Sequence, residues 1–253
     1  MRAELPHIAA DILMRLRARS PRVHCITNSV AQTFTANTLL AAGAVPSMTF
    51  AADEIGAFVA RADALLVNLG TFDEERREAT AAGLDVAAER RIPWVLDPVF
   101  IDRSEPRATY ARSLVAQNPD ALRLNGAEFV ALSGSEPDDA ALARYALETL
   151  AVVALTGTVD RVTDGAQHIA IENGHPLMGR VTAMGCAASA LTAAFLAVES
   201  DAFAAAASAL LCFGVAGGLA GERASGPGSF PAALLDALYA LDKHTLEEKT
   251  HIT

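Results

Sequence analysis

Val181-Thr182-Ala183-Met184-Gly185-Cys186 heads an uncharged, Ala-rich run that continues to Val198. The pattern reads as an extended segment, a tight turn containing Gly185, and a helix opening directly from that turn. The first backbone N–H groups of such a helix lack intrahelical partners and sit at the positive end of its dipole, so an anion can be held there. Cys186 falls at the helix start, where a thiol ionises more readily than in mid-helix. Phosphoryl transfer and thiolate chemistry both suit this arrangement, and an ordinary Gly turn before a helix shares it.

Three further sets carry chemically capable groups. Arg123 ends an apolar run, with Asn125 and Glu128 three residues apart just beyond it. On one face of a helical turn that pair can order Mg²⁺ through its waters while Arg123 holds a phosphate oxygen. The same spacing is that of an N-cap with its reciprocal Glu. Asp97 closes the apolar run from Trp94, as a carboxylate offered to a metal or ligand or as a turn-forming Asp-Pro. Thr156-Gly157 ends another apolar run, where a hydroxyl and a flexible backbone can wrap a nucleotide phosphate or ribose, and where a plain turn looks the same. His24 and His175 match no metal-binding spacing and read as structural.

These groups need a scaffold that gathers them. Short apolar runs at residues 23–27, 45–48, 64–69, 93–97, 121–124 and 152–156 predict buried strands, with helices predicted between them at about 30–42, 52–61, 73–90, 105–117 and 138–149. The alternation is that of a mostly parallel sheet with helices on both faces. Asp164-Gly165 and Asn173-Gly174 predict hairpin turns among two or three antiparallel edge strands over 159–182. Helices are expected at 185–198, 202–222 and 230–248, with Gly226-Pro227-Gly228 separating the last two. In open parallel sheets ligands gather at the carboxyl ends of the strands. Thr27-Asn28, Met48-Thr49, Asn68 to Gly70, Asp97, Arg123 and Thr156 all fall there.

The 253 residues are 52% hydrophobic but only 6% aromatic, a palette of Ala, Leu and Val suited to close α/β layers. With no linker or repeat, residues 1–253 read as one domain. A net charge of −10 argues against nucleic acid or an anionic membrane as partner, and an acidic enzyme that binds nucleotide phosphates then needs Mg²⁺ and locally placed cations. Cys25, Cys186 and Cys212 share no CxxC spacing and fit a reducing cytoplasm. The N-terminus reads as an amphipathic helix rather than a signal peptide. Residues 202–221 are uncharged and carry Gly214 and Gly218 at GxxxG spacing, the pattern of a membrane-helix contact face. Ala and Gly are weakly apolar, and a buried core helix is the expectation.

The segments together resemble the hydroxyethylthiazole kinase family, in this order: His24-Cys25-Ile26-Thr27-Asn28, Ala42 through Met48, Val67-Asn68-Leu69-Gly70-Thr71, Val95-Leu96-Asp97-Pro98-Val99, Arg123-x-Asn125-x-x-Glu128, Leu155-Thr156-Gly157, Asn173-Gly174-His175-Pro176-Leu177-Met178, and Val181-Thr182-x-x-Gly185-Cys186. The resemblance implies a ribokinase-like three-layer α/β sandwich with a small antiparallel edge hairpin. It further implies ATP- and Mg²⁺-dependent phosphorylation of the alcohol of 4-methyl-5-(2-hydroxyethyl)thiazole, and a cytoplasmic homotrimer with active sites between subunits. By the family pattern Arg123 and Thr156 contact ATP, and Asp97 and Glu128, with Asn125 beside them, support Mg²⁺ and its waters. Met48 lines the thiazole pocket through its backbone, with Asn28 nearby, and Gly185-Cys186 forms the anion hole. Related sugar and vitamin kinases carry an Asp base where this family has Cys, so Cys186 is expected to be a modest base, with most of the rate coming from the anion hole and Mg²⁺.

Two positions depart from the family pattern, Ala183 and Leu124, each standing where the family has Gly. The Gly at 183 is expected to touch substrate through its backbone. A methyl is accommodated there if φ is negative and narrows the pocket if φ is positive. Rival readings are a kinase for another small alcohol, such as a hydroxymethylpyrimidine or a sugar, and a binding descendant without turnover.

Overall fold

Residues 2–253 are described by a computed structural model. Six parallel strands form most of one sheet: β1 (Arg22–Ile26), β2 (Val45–Ser47), β3 (Ala64–Asn68), β4 (Trp94–Asp97), β5 (Ala121–Asn125) and β6 (Val152–Thr156). Antiparallel strands β7 (Asp160–Thr163) and β8 (His168–Ile171) extend it, in the order β2-β1-β3-β4-β5-β6-β7-β8. The central strands are apolar because both faces are covered, and alternate residues feed two separate cores. Leu66 and Ala154 enter one core, while Leu65, Val67, Leu124 and Val153 enter the other.

The first core lies under α1 (Leu5–Arg19), α2 (Gln32–Ala42), α8 (Met184–Leu196), α9 (Ala202–Arg223), α10 (Phe230–Ala240) and α11 (Lys243–Lys249). The second lies under α3 (Ile55–Val59), α4 (Glu74–Arg90), α5 (Glu105–Val115), α6 (Gly126–Ser133) and α7 (Asp139–Thr149). The result is a three-layer α/β sandwich. Acidic caps set several starts: Asp73 accepts from Arg76 N ahead of α4, and Asp201 from Phe203 N and Ala204 N ahead of α9.

Helix α9 is long and apolar enough to cross a membrane by composition, yet 83% of its most apolar window is buried inside the chain. Its glycines serve a close approach within the protein. A Cβ at Gly214 would lie 2.9 Å from Asn173, and one at Gly221 would overlap the His175 ring. The 173–178 segment therefore lies directly on the helix backbone.

Three local expectations change. Only Asp164-Gly165 makes a hairpin turn, with Asp164 Oδ1 accepting from Ala166 N and Gln167 N. After Asn173-Gly174 the chain enters a 3-10 turn (Pro176–Arg180), and no strand forms over 173–182. The place beside β8 is taken by the C-terminal residues, where Ala170 and Thr253 exchange backbone bonds and Glu172 N donates to His251 O. Asn173 holds that tail, donating to Lys249 O and accepting from His251 N. The 230–248 helix is two helices, because Asp242 caps a new start by accepting from Thr245 N. Helix α6 fills the stretch after β5, and is the short helix capped by Asn125 that the Asn125–Glu128 spacing allows.

Candidate active site

The carboxyl ends of β4, β5 and β6 and the start of α8 border a cavity of ≈ 950 Å³. Asp97, Arg123, Asn125, Glu128, Thr156, Ala183, Gly185 and Cys186 all line it. Asn28 and Met48 do not. Asn28 is tied to the site by its amide, while Met48 packs against the first core beyond the end of β2.

The turn before α8 is closed by Ala183 rather than by Gly185. Ala183 is the N-cap with φ 70 and ψ 2, a left-handed backbone in which a Cβ is strained. No side chain caps the helix, and the first N–H to bond within it is that of Ala187, to Ala183 O. The N–H groups of Met184, Gly185 and Cys186 precede that bond and point toward the helix's positive end. Gly185 is required by close packing, since a Cβ there would overlap the Arg123 guanidinium.

Arg123 spans the site. Its Nη2 donates to Thr156 Oγ1 at 2.5 Å, its Nη1 lies 3.9 Å from Asp97 Oδ1, and its buried Nε has no partner. Asp97 is fully buried, and Oδ2 accepts from Asn68 Nδ2 at 2.7 Å and Ser189 Oγ at 2.8 Å. Oδ1 has no hydrogen-bond partner. Burial pushes the Asp97 carboxyl above its ordinary range, opposed by Arg123, Ser189 and Asn68.

Glu128 and Asn125 form the capping box. Asn125 Oδ1 accepts from Glu128 N, and Glu128 Oε2 accepts from Asn125 N. Glu128 Oε1 accepts from Phe100 N. The pair is therefore a helix cap, and its Glu128 carboxylate also lines the cavity. Burial and then the Asp97 charge raise the Glu128 carboxyl, so the two acids resist ionising together.

Cys186 does not behave as its helix position suggested. Burial first, and Asp97 second, push its thiol up to about 11, against donors from Asn68 and Asn28 and the charge of Arg123. The neutral thiol is the form near pH 7. Asn28 Nδ2 and Asn68 Nδ2 approach Sγ at 3.3 and 3.2 Å.

Asn68, Ser189 and Asp160 were missed as members of the site. Asn68 enters the sequence reading as a strand end and within the segment Val67-Asn68-Leu69-Gly70-Thr71, without a role of its own. The signal in the sequence is an amide closing the all-apolar run Ala64-Leu65-Leu66-Val67. Asp160 lines the cavity and accepts from Gly157 N at 2.9 Å, holding the turn after Thr156. Leu124 does not touch the cavity. Its side chain points into the second core, so the departure there changes packing behind β5. His175 is structural, capping the 3-10 turn through Leu177 N and stacking on Phe230.

A model of the hydroxyethylthiazole kinase family matches residues 13–244. A curated hydroxyethylthiazole kinase of Salmonella schwarzengrund (strain CVM19633) is 44% identical over 255 residues, covering 96% of each chain. The solved structure of a hydroxyethylthiazole kinase protein from Pyrococcus horikoshii OT3 matches with a TM-score of 0.93 at 38% identity, over 98% of both chains. A ribokinase-like superfamily protein of Enterococcus faecalis V583 matches at TM-score 0.65 and 15% identity, over 90% of this chain and 89% of that one. At that identity it shares the fold alone, and the sandwich is ribokinase-like. Similar in sequence and in backbone along almost its whole length, the chain belongs to the hydroxyethylthiazole kinase family.

Proposed function

We propose that this kinase transfers the terminal phosphoryl group of ATP, with Mg²⁺, to the hydroxyl of 4-methyl-5-(2-hydroxyethyl)thiazole in thiamine synthesis or salvage. The observation that carries this reading is the position of Arg123 against the first turn of α8. There it joins Thr156 on one side and Asp97 on the other, beside uncapped N–H groups. A cation, an anion-binding helix start and two acids around one cavity suit a phosphoryl group passing between two oxygens. In this reading Arg123 and Thr156 bind ATP, Gly185 and Cys186 offer N–H groups to the transferring phosphoryl, and Ala183, Asn28 and Met48 border the acceptor.

The residues suit Mg²⁺. Asp97 Oδ1 is buried without a hydrogen-bond partner, and the Glu128 oxygens each keep acceptor capacity beyond their backbone bonds. No group of three or more His, Cys, Asp or Glu side chains arranged to hold a metal exists among the described residues. That agrees with an ion held largely by waters and phosphates. Asp97 and Glu128 would hold its waters, while Asn125, whose oxygen caps α6, orders Glu128. When bound, Mg²⁺ offsets the phosphate charge.

A loose transition state asks for positioning and charge stabilisation more than for a strong base. A Cys186 thiol raised to about 11 is almost wholly protonated near pH 7 and seldom free to accept a proton, so Arg123 with the α8 N–H groups carries more of the rate. Residues 1–253 act as one domain in this reading, since one sheet runs through the chain. A homotrimer with shared sites is the family expectation, and Leu40, Val45 and Phe58 are exposed apolar residues at the β2 edge of the sheet that suit an interface. Three free, buried cysteines suit the cytoplasm, and a net charge of −10 suits small-molecule partners rather than nucleic acid or membrane.

The test is ADP release with ATP, Mg²⁺ and hydroxyethylthiazole, against controls lacking acceptor or metal. Release that depends on both is expected. Turnover only with a hydroxymethylpyrimidine or a sugar would reassign the acceptor, and thiazole binding without turnover would mark a binding protein.

A further inference from the structure

His24 has no part in the chemistry above, yet its contacts are specific. It is fully buried on β1, in register with Ser47, the last residue of the edge strand β2. Its Nδ1 lies 2.8 Å from Ser47 Oγ and its Nε2 lies 2.9 Å from Thr49 O. A carbonyl can only accept, so Nε2 carries the proton and Nδ1 accepts from the Ser47 hydroxyl. Burial lowers the imidazole to about 4, against the bond to Thr49 and the charge of Glu54. The ring is therefore neutral with a single tautomer at ordinary pH.

Its two partners flank Met48. Sheet pairing on β2 stops at Ser47, and residues 48–51 have no regular structure. Nothing in the β-ladder sets the direction in which the Met48 backbone leaves the sheet. The imidazole does so from the neighbouring strand, one nitrogen on each side. Thr49 is secured onward, its hydroxyl donating to Glu54 ahead of α3, and Phe58 of α3 packs against the His24 ring at 5.8 Å.

We infer that His24 is a positioning residue for the phosphoryl acceptor. By bracing Ser47 and Thr49 it holds the Met48 backbone in the conformation that receives the thiazole ring. This rests on the proposed function in taking Met48 as part of the acceptor pocket. A purely structural histidine would affect stability, or all kinetic constants together. A brace at Met48 acts on the acceptor alone.

The experiment compares His24→Asn, which keeps a polar group near Nδ1 but loses the donor to Thr49, with His24→Gln, which restores a donor near Nε2. Amide hydrogen exchange over residues 47–51 is read without substrate, and KM is read for thiazole and ATP separately. In His24→Asn, exchange over this segment is expected to quicken and thiazole KM to rise about tenfold, the size of one lost hydrogen bond. ATP KM and kcat should stay within about twofold, and His24→Gln should recover most of the loss. Unchanged exchange in folded His24→Asn overturns the brace. Faster exchange with thiazole and ATP constants moving together, or with thiazole KM unmoved, overturns the acceptor role. No thiazole turnover in the parent protein fails the functional reading and the acceptor role that rests on it, while the exchange result still decides whether the brace exists.

Discussion

Cys186 Sγ lies 3.2 Å from Asn68 Nδ2, and the same nitrogen lies 2.7 Å from Asp97 Oδ2. The Asn68 oxygen accepts from Asn28 Nδ2 and Gly70 N, so both ends of this buried amide are fully engaged. One side chain on β3 thereby joins the start of α8 to the end of β4, and such a network holds its members in a single geometry.

On the proposed reading the Cys186 thiol, raised to about 11, is almost wholly protonated near pH 7 and a poor base, while Arg123 supplies the charge. Cys186→Ala is expected to lower kcat by about 10- to 100-fold, at or below the roughly 10²-fold floor for general bases. Arg123→Ala is expected to lower it by about 10³-fold, as for other cations on a transferring phosphoryl. Steady-state ADP release compares the two. Equal losses would make the thiol as important as the guanidinium and reverse this ranking.

Gly185 keeps Arg123 against the helix start. Gly185→Ala places a methyl where the guanidinium lies and should displace it from Thr156 and Asp97. A fall in kcat/KM for ATP of about 10²-fold is expected, with a melting temperature near that of the parent. Parent-like kinetics would show that Arg123 has room to move and that its seat against α8 is unimportant.

Ala183 is held at φ 70, where an L-residue with a Cβ is strained by roughly 1–2 kcal/mol. Ala183→Gly removes the strain and adds roughly 0.5–1 kcal/mol of unfolded-chain entropy cost. A net gain near 0.5–1 kcal/mol is expected, or a melting temperature about 2 °C higher. A lower melting temperature would mean that the methyl contributes packing larger than the strain.

Asp160 links stability to pH. Burial raises its carboxyl from 3.8 to about 6, opposed by the Gly157 N–H and by Arg123. The folded protein therefore holds this proton more tightly than the unfolded chain does. The resulting stabilisation is present at low pH and is lost as pH rises through about 6. Asp160→Asn keeps an acceptor for Gly157 and removes the charge. Its melting temperature relative to the parent should be higher at about pH 8 than at about pH 4. A difference that stays constant across that range would contradict the assignment.

The helix after Asp201 and the six apolar strands were legible because burial on both faces of a parallel sheet forces continuous apolar runs. Arg123, Asp97 and Thr156 were legible as a group for a related reason, since strand ends in such a sheet must meet on one side. The Asn125–Glu128 spacing stayed ambiguous because a helix cap and a carboxylate facing a ligand use the same two residues. At Asn173-Gly174 local turn preference was overridden. Asn173 bonds the C-terminal tail, and the glycine face of α9 receives the segment that follows.

The sequence by itself therefore determined the layers, the strand order along the chain and the set of groups brought to one edge, because residue periodicity and turn chemistry are local. Tertiary structure decided the ionisation of Cys186, the left-handed backbone at Ala183, the joining role of Asn68 and the brace from His24 to the residues flanking Met48. These depend on burial, fields and contacts among residues far apart in the chain. Cys186 shows the difference most clearly. Its place at a helix start favours a thiolate, and the buried position beside Asp97 reverses that preference.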